Sequence, residues 1–255
     1  MGKSKSKKSK KYSLWGQSIM FYDYETTGLK VKLDELVSVF ATNPILGVTI
    51  DSLTRPKCAI SAEASAVNGI SEIDLLNAYP NEVLIKATAN LWNHSDIVCG
   101  WNILGYDSAM TFSLCERENV IIDRMPLQLD LKYVCKLLLN AEELKAHSDN
   151  PYSLVNVYSY LFDETFDAHD AKADVMAVMR IFNKIKKYIQ PCHLLSYQSV
   201  FNEVITDEGM RLIQGKHLGE TIGDVLVTDP RYIKWLIKEK YIILSNALLI
   251  KHNLC

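Results

Sequence analysis

Three β-rich runs open the patterned part of the chain: SIMFYDYE from Ser18, LVSVFATN from Leu36 and LGVTIDSL from Leu46. Their alternating or dense apolar and β-branched positions predict three adjacent strands. Ser71 then stands as a cap for a short helix through Asn77, and NEVLIKATANLW has the spacing of an amphipathic helix. SDIVCGWN reads as a buried strand, and helical spacing returns over 107–118, 130–139, 153–161 and 170–188. Strands first, then strands alternating with helices, predict an α/β fold with a mixed sheet flanked by helices. Pro191 is placed to end this domain, because residues 191–255 have a different rhythm. Within them, Thr221 with Asp224 is a capping signature, and Asp229-Pro230 starts another helix with Ile233, Leu236 and Ile237 as its apolar face. The expected organisation is a disordered basic arm over 1–12, a main domain over 13–190 and a small C-terminal module over 191–255.

Charge changes this picture at the N-terminus. The formal net charge is −2, yet residues 1–12 hold six lysines and no acid, so the remainder has 22 basic against 30 acidic side chains, or −8. Such a body does not attract nucleic acid by charge alone, and the arm becomes the candidate for long-range attraction to phosphates. A plain solubilising tail is the other reading. Met1-Gly2 with Ser6 also fits a myristoylation pattern, which would be the one route to a membrane. No apolar run approaches the roughly 18 residues of a span, and the lysine-rich start is no secretory signal. The six cysteines are scattered with no C-x-x-C pair, against a zinc site or a disulfide framework. The expected location is the cytoplasm.

Three segments carry chemistry. In FYDYETTG, Asp23 and Glu25 lie two apart on a strand, so both point to one face about 6–7 Å apart. Such carboxylates repel unless a cation lies between them, and they suit a pair of metal ions. Thr26, Thr27 and Gly28 then break the strand, which is expected to leave two hydroxyls and backbone N–H groups free beside the metals. In CGWNILGYD, a buried strand leads through Asn102 and the Gly105 turn to Tyr106 and Asp107 at a helix start. In AHDAKADVMAVMRIF, Asp174 sits early in a long helix, and His169, five residues before it, is about 140° out of phase on an ideal helix. His169 is therefore placed in the loop before the helix. An ordinary imidazole pKa of about 6.5 suits it to take a proton from water. Taken singly, each segment also has a plain structural reading: a solvated strand end, a helix cap, a surface histidine.

Asp-x-Glu-Thr-Thr-Gly, then Asn-x-x-Gly-Tyr-Asp, then His-x4-Asp, in this order, resembles the DEDDh (DnaQ-like) 3′–5′ exonuclease superfamily over residues 18–188. The three motifs are most similar to those of the exonuclease I and exonuclease X branch. The resemblance implies a ribonuclease H-like mixed five-stranded sheet. It also implies two Mg2+ ions, with Mn2+ able to substitute, held by Asp23, Glu25, Asp107 and Asp174, the Asp107 share being through coordinated water. His169 would deprotonate the attacking water. Thr26, Thr27, Gly28, Asn102 and Tyr106 would position the 3′-terminal nucleotide of single-stranded DNA, with RNA as the alternative substrate and an inactive nucleic-acid-binding module as the alternative of another class. Asn68 stands where many members have histidine. The pattern G-K-H-x-G…D-P-x-Y-x-x-W-L resembles a small module that follows some exonuclease X-like domains. It is read as a mini-domain, with phosphate contacts from Lys216, His217, Arg231 and Lys234 as the second reading. The apolar C-terminal end is a candidate surface for a protein partner.

Overall fold

The computed structural model describes residues 16–124, 126–145 and 149–189, and beyond these 205–206, 212, 216–217, 220–238, 243–244 and 251–252. The expectations for the 1–12 arm, and most of those for the C-terminal end, lie outside the described residues. The first three strands form where the alternation placed them: β1 (Ile19–Thr26), β2 (Leu36–Asn43) and β3 (Val48–Arg55) pair as antiparallel neighbours. β5 (Ile97–Gly100) pairs parallel with β1, and β6 (Leu127–Asp130) parallel with β5. The two-residue β4 (Tyr79–Pro80) pairs parallel with β3 and makes the order β4-β3-β2-β1-β5-β6. The sheet is thus mixed, as expected, with six strands in place of five; the extra one is this short edge.

The two faces of β1 follow its alternation. Ile19 and Phe21 enter one core, under α4 (Leu131–Leu138), α6 (Leu154–Phe162) and α7 (Ala171–Ile185), where Phe21 meets Phe182 edge-on at 5.3 Å. Met20, Tyr22 and Tyr24 enter the other, under α2 (Asn81–Asn93) and α3 (Asp107–Arg117), where Tyr22 packs on Trp92 at 5.6 Å. Asp23 and Glu25 continue the Ile19–Phe21 series, so they face the α7 side near the strand's C-terminal end. Gly100 lets β5 close on this strand, since a Cβ there would lie 2.8 Å from the Tyr22 carbonyl oxygen and overlap Ile103.

One local expectation changes, and two short helices form where none was expected. Ser71 does not start a helix: its hydroxyl and its N–H both bond the Asp74 carboxylate, at 2.5 and 2.9 Å, and the segment 72–77 folds as turns. Such side-chain bonding competes with helix propagation. A helix forms earlier instead, α1 (Ala62–Asn68), capped by Ser61 and ended by Gly69 in the left-handed region at φ 70. A short α5 (Ala141–Lys145) also forms ahead of α6.

In the C-terminal part, α8 (Ile222–Thr228) is capped by Thr221, whose hydroxyl accepts from the Asp224 N–H, and α9 (Pro230–Lys238) follows. Leu212, Ile222, Val225, Leu226, Ile233 and Leu236 form a separate apolar cluster. A parallel pair joins β7 (Ile205–Thr206) to β8 (Ile243–Leu244). Among the described residues, no helix is long and apolar enough to cross a membrane.

Candidate active site

One oxygen each from Asp23, Glu25 and Asp174 gather within 4.8 Å of one another. Asp23 and Glu25 arrive from β1. Asp174 comes from the first turn of α7, which packs on β1 and β2 and is capped by Asp170, accepting from the Ala173 N–H at 3.0 Å. The Asp174 Oδ1 is buried with no hydrogen-bond partner among the described residues. A buried, unpartnered oxygen on a carboxylate that lies beside two others is costly unless a cation completes it. The donor set is all hard oxygen, and it fits a divalent ion of the magnesium or manganese class.

Electrostatics point the same way. Burial, and then the charges of Asp107, Asp174 and Glu25, push Asp23 well above the usual carboxylate range. Burial, followed by the charges of Asp174 and Asp107, lifts Glu25 to about 8, against the lowering effect of the Asn68 amide. Burial raises Asp174 to about 6 even with the nearby His169 pulling it down. Asp107 stands outside the trio but is electrostatically joined to Asp23 and Asp174. It is buried as the first residue of α3 and is lifted to about 7 chiefly by burial, against the lowering effect of its own and the Tyr24 backbone N–H groups. Four acids that resist ionisation side by side are the mark of a site meant for a cation.

His169 is exposed, immediately before α7, with a left-handed backbone at φ 68. The loop position expected from its phase holds, and the residue stays at the surface.

The expected nucleotide-positioning residues divide. Thr26 and Thr27 do not offer free hydroxyls. The Thr26 hydroxyl donates to the Gly28 carbonyl at 2.8 Å and meets the Tyr106 hydroxyl at 2.9 Å. The Thr27 hydroxyl, almost wholly buried, donates to Asp34 at 3.0 Å and accepts from the Glu35 N–H, and the Thr27 N–H donates to the Glu35 carbonyl. Both threonines brace the loop from within because Asp34 folds back under it; a Cβ on Gly28 would come 2.7 Å from that carboxylate. Tyr106 is half-buried and donates to the Gly28 carbonyl at 2.5 Å, so its ring lies along this loop. Asn102 is exposed with φ 63, and its polar contacts run to Asp130 and Lys132. Two contributors carry no assigned role in the sequence pattern. Asn68 ends α1 with its amide near Glu25, and Asp170 adds a second negative neighbour to the trio, after Asp107. The D-A-K-A cap pattern signals Asp170; Asn68 has no local signal.

In the C-terminal part, His217 is buried between Glu220 and Asp229 at 3.0 and 3.2 Å, and Lys216 pairs with Asp229 at 2.8 Å. His217 is thus held inside the module, whereas Lys216 stays exposed beside its partner.

The family model of the RNase T exonucleases matches residues 20–182. No curated protein sequence matches the chain. Among solved structures, the chain is similar to the zinc-bound complex of E. coli exonuclease I with single-stranded DNA, at 20% identity and TM-score 0.56 over 68% of this chain and 41% of that one. The complex of E. coli exonuclease I with a dT13 oligonucleotide gives 20% and 0.56 over 67% and 41%. An exonuclease I structure described for how processivity is achieved gives 20% and 0.57 over 69% and 42%. The match spans about two fifths of exonuclease I, and at this identity it shows a shared fold.

Proposed function

This chain belongs to the RNase T exonuclease family, of the DEDDh, DnaQ-like type, and from that premise we propose that it is a magnesium-dependent 3′–5′ exonuclease acting on single-stranded DNA. The observation that carries the reading is the convergence of Asp23, Glu25 and Asp174, with the Asp174 Oδ1 buried and unpartnered, beside an exposed His169. Asp23, Glu25 and Asp174 would hold two Mg2+ ions, or Mn2+ in their place, and Asp107 would assist through water. Bound there, divalent ions lower the pKa of water and take up negative charge that develops on the phosphate. His169 accepts the proton of the attacking water, and its surface position leaves that proton free to pass to solvent. The loop Thr26–Gly28, held rigid by Thr27 and Asp34, presents backbone and the Tyr106 ring to the terminal nucleotide; an aromatic face accepts any base, so sequence preference is weak. Hydrolysis releases nucleoside 5′-monophosphates.

The single-stranded DNA ligands of the exonuclease I structures support the choice of substrate. The test is a time course on matched 5′-labelled DNA and RNA oligomers, single-stranded and duplex. The expected result is a ladder shortening from the 3′ end of single-stranded DNA with Mg2+ and none with EDTA. Degradation of RNA with DNA left intact would replace the substrate, and no shortening of either would remove the nuclease reading.

A further inference from the structure

Asp130 ends β6 and caps α4, and its carboxylate does more than cap. Its Oδ1 accepts from the Tyr133 N–H at 3.2 Å and from the Asn102 N–H at 3.1 Å, and its Oδ2 accepts from the Leu104 N–H at 3.1 Å. Asp130 is 4% exposed. The loop from Trp101 to Tyr106 is thus gripped from β6 at two backbone amides immediately before it delivers Asp107. Within the loop, the left-handed Asn102 closes a turn through its carbonyl to the Gly105 N–H at 2.9 Å, and the Ile103 carbonyl takes the Ser108 N–H at 3.0 Å. Two residues earlier on β6, Gln128 accepts from the Ser108 hydroxyl at 2.7 Å, and that hydroxyl also meets the Tyr22 hydroxyl at 2.9 Å. The first turn of α3 is therefore fastened to β6 and to the strand that bears Asp23 and Glu25, entirely through buried side chains.

We infer that Asp130 is a positioning residue for the site: by holding the Asn102 and Leu104 amides it fixes the loop that sets Asp107 beside Asp23 and Asp174, and so sets the affinity of the site for divalent cations. This rests on the reading of Asp107 as part of the metal site. The residue type follows from the donors. Three N–H groups converge on one side chain, and only a carboxylate offers acceptors on both oxygens; an amide would turn an N–H group against one of them. The cap of α4 alone does not need this, because serine caps a helix as well as aspartate does.

That difference gives the experiment. Asp130→Ser keeps a cap for α4 but is too short to hold the loop amides, and Asp130→Asn keeps the size but loses one acceptor. Mn2+ binding to the full chain is measured by titration calorimetry for Asp107→Asn, for each Asp130 variant and for the double variants, below their melting temperatures. The expected result is a roughly tenfold weaker Mn2+ affinity for Asp130→Ser at unchanged stoichiometry, the size usual for residues that orient ligands. The double variant should bind no more weakly than Asp107→Asn alone. A purely structural role lowers the folded fraction and hence the stoichiometry, and leaves affinity unmoved. Wild-type affinity in both Asp130 variants, or a double variant weakened by the product of the two single effects, overturns the inference while leaving the proposed function standing. Wild-type affinity and nuclease rate in Asp107→Asn would overturn the assignment of Asp107 and the inference with it.

Discussion

Replacing Asp23 by Asn removes one charge from the trio and keeps the shape of the side chain. With ligand oxygens no more than 4.8 Å apart, two ionised carboxylates repel by about 3.5 kcal/mol at an effective dielectric near 20. Asp23 belongs to two such pairs, so about 7 kcal/mol passes through it when all three are charged. Keeping one carboxyl protonated instead costs about 1.4 kcal/mol per pH unit above its unfolded pKa near 3.9. At pH 8 that is about 5.5 kcal/mol, less than the repulsion, so the metal-free protein keeps a proton. Burial, the larger cause, acts in the same direction, with Asp23 held well above the usual range and Glu25 lifted to about 8.

The sign follows from these raised values. The folded protein binds protons that the unfolded chain has released. Stability is therefore fully present below the unfolded pKa and drains as the pH rises towards 8. In EDTA, Asp23→Asn should gain on the wild type between pH 5 and pH 8, by at most about 4 kcal/mol for the three pH units. At about 2–4 °C per kcal/mol for a chain of this size, a difference of several degrees is expected at pH 8 and a much smaller one at pH 5. Saturating Mg2+ at pH 8 should raise the wild-type melting temperature more than that of the variant. Thermal melts followed by circular dichroism read all of this. A variant that melts below the wild type in EDTA at pH 8, or differs from it equally at both pH values, would show that no shared proton is held at Asp23.

Three further outcomes follow. His169→Ala should lower kcat by about a hundredfold or more while single-stranded DNA binding, read by fluorescence anisotropy, stays as in the wild type; full turnover would remove the proton-accepting role. Mg2+ affinity should rise from pH 6 to pH 8 as Asp174, Asp107 and Glu25 give up protons held to about 6, 7 and 8. Calorimetry in buffers of different ionisation enthalpy should then detect proton release, and a pH-independent affinity would contradict the raised carboxyls. Gly100→Ala should lower the melting temperature by the equivalent of about 1–3 kcal/mol, since the added methyl meets Ile103 and the Tyr22 carbonyl; an unchanged melt would show that β5 has room there.

The long strands and helices are legible in the sequence because each buries one face over many residues and repeats its period. β6 is not, because four residues give no period, and Asp130 serves at once as strand end and helix cap. α1 is hidden for a similar reason: AEASAVN contains no buried residue, and its signal lies in the Ser61 and Gly69 caps. Ser71 misleads because the hydroxyl that can cap a helix can equally close a turn on Asp74. Of the candidate site, the common face of Asp23 and Glu25 and the loop position of His169 are readable, since period two on β1 and the phase of α7 dictate them. The role of Thr27 is not, because it depends on Asp34 folding back from seven residues away.

The proposed cation cradle, built from acids remote in sequence, is tested without any assay by anomalous diffraction from a crystal soaked in Mn2+. A peak bounded by Asp23, Glu25 and Asp174, and lost in Asp174→Asn, is expected. Strong peaks elsewhere with none among these three side chains would contradict it.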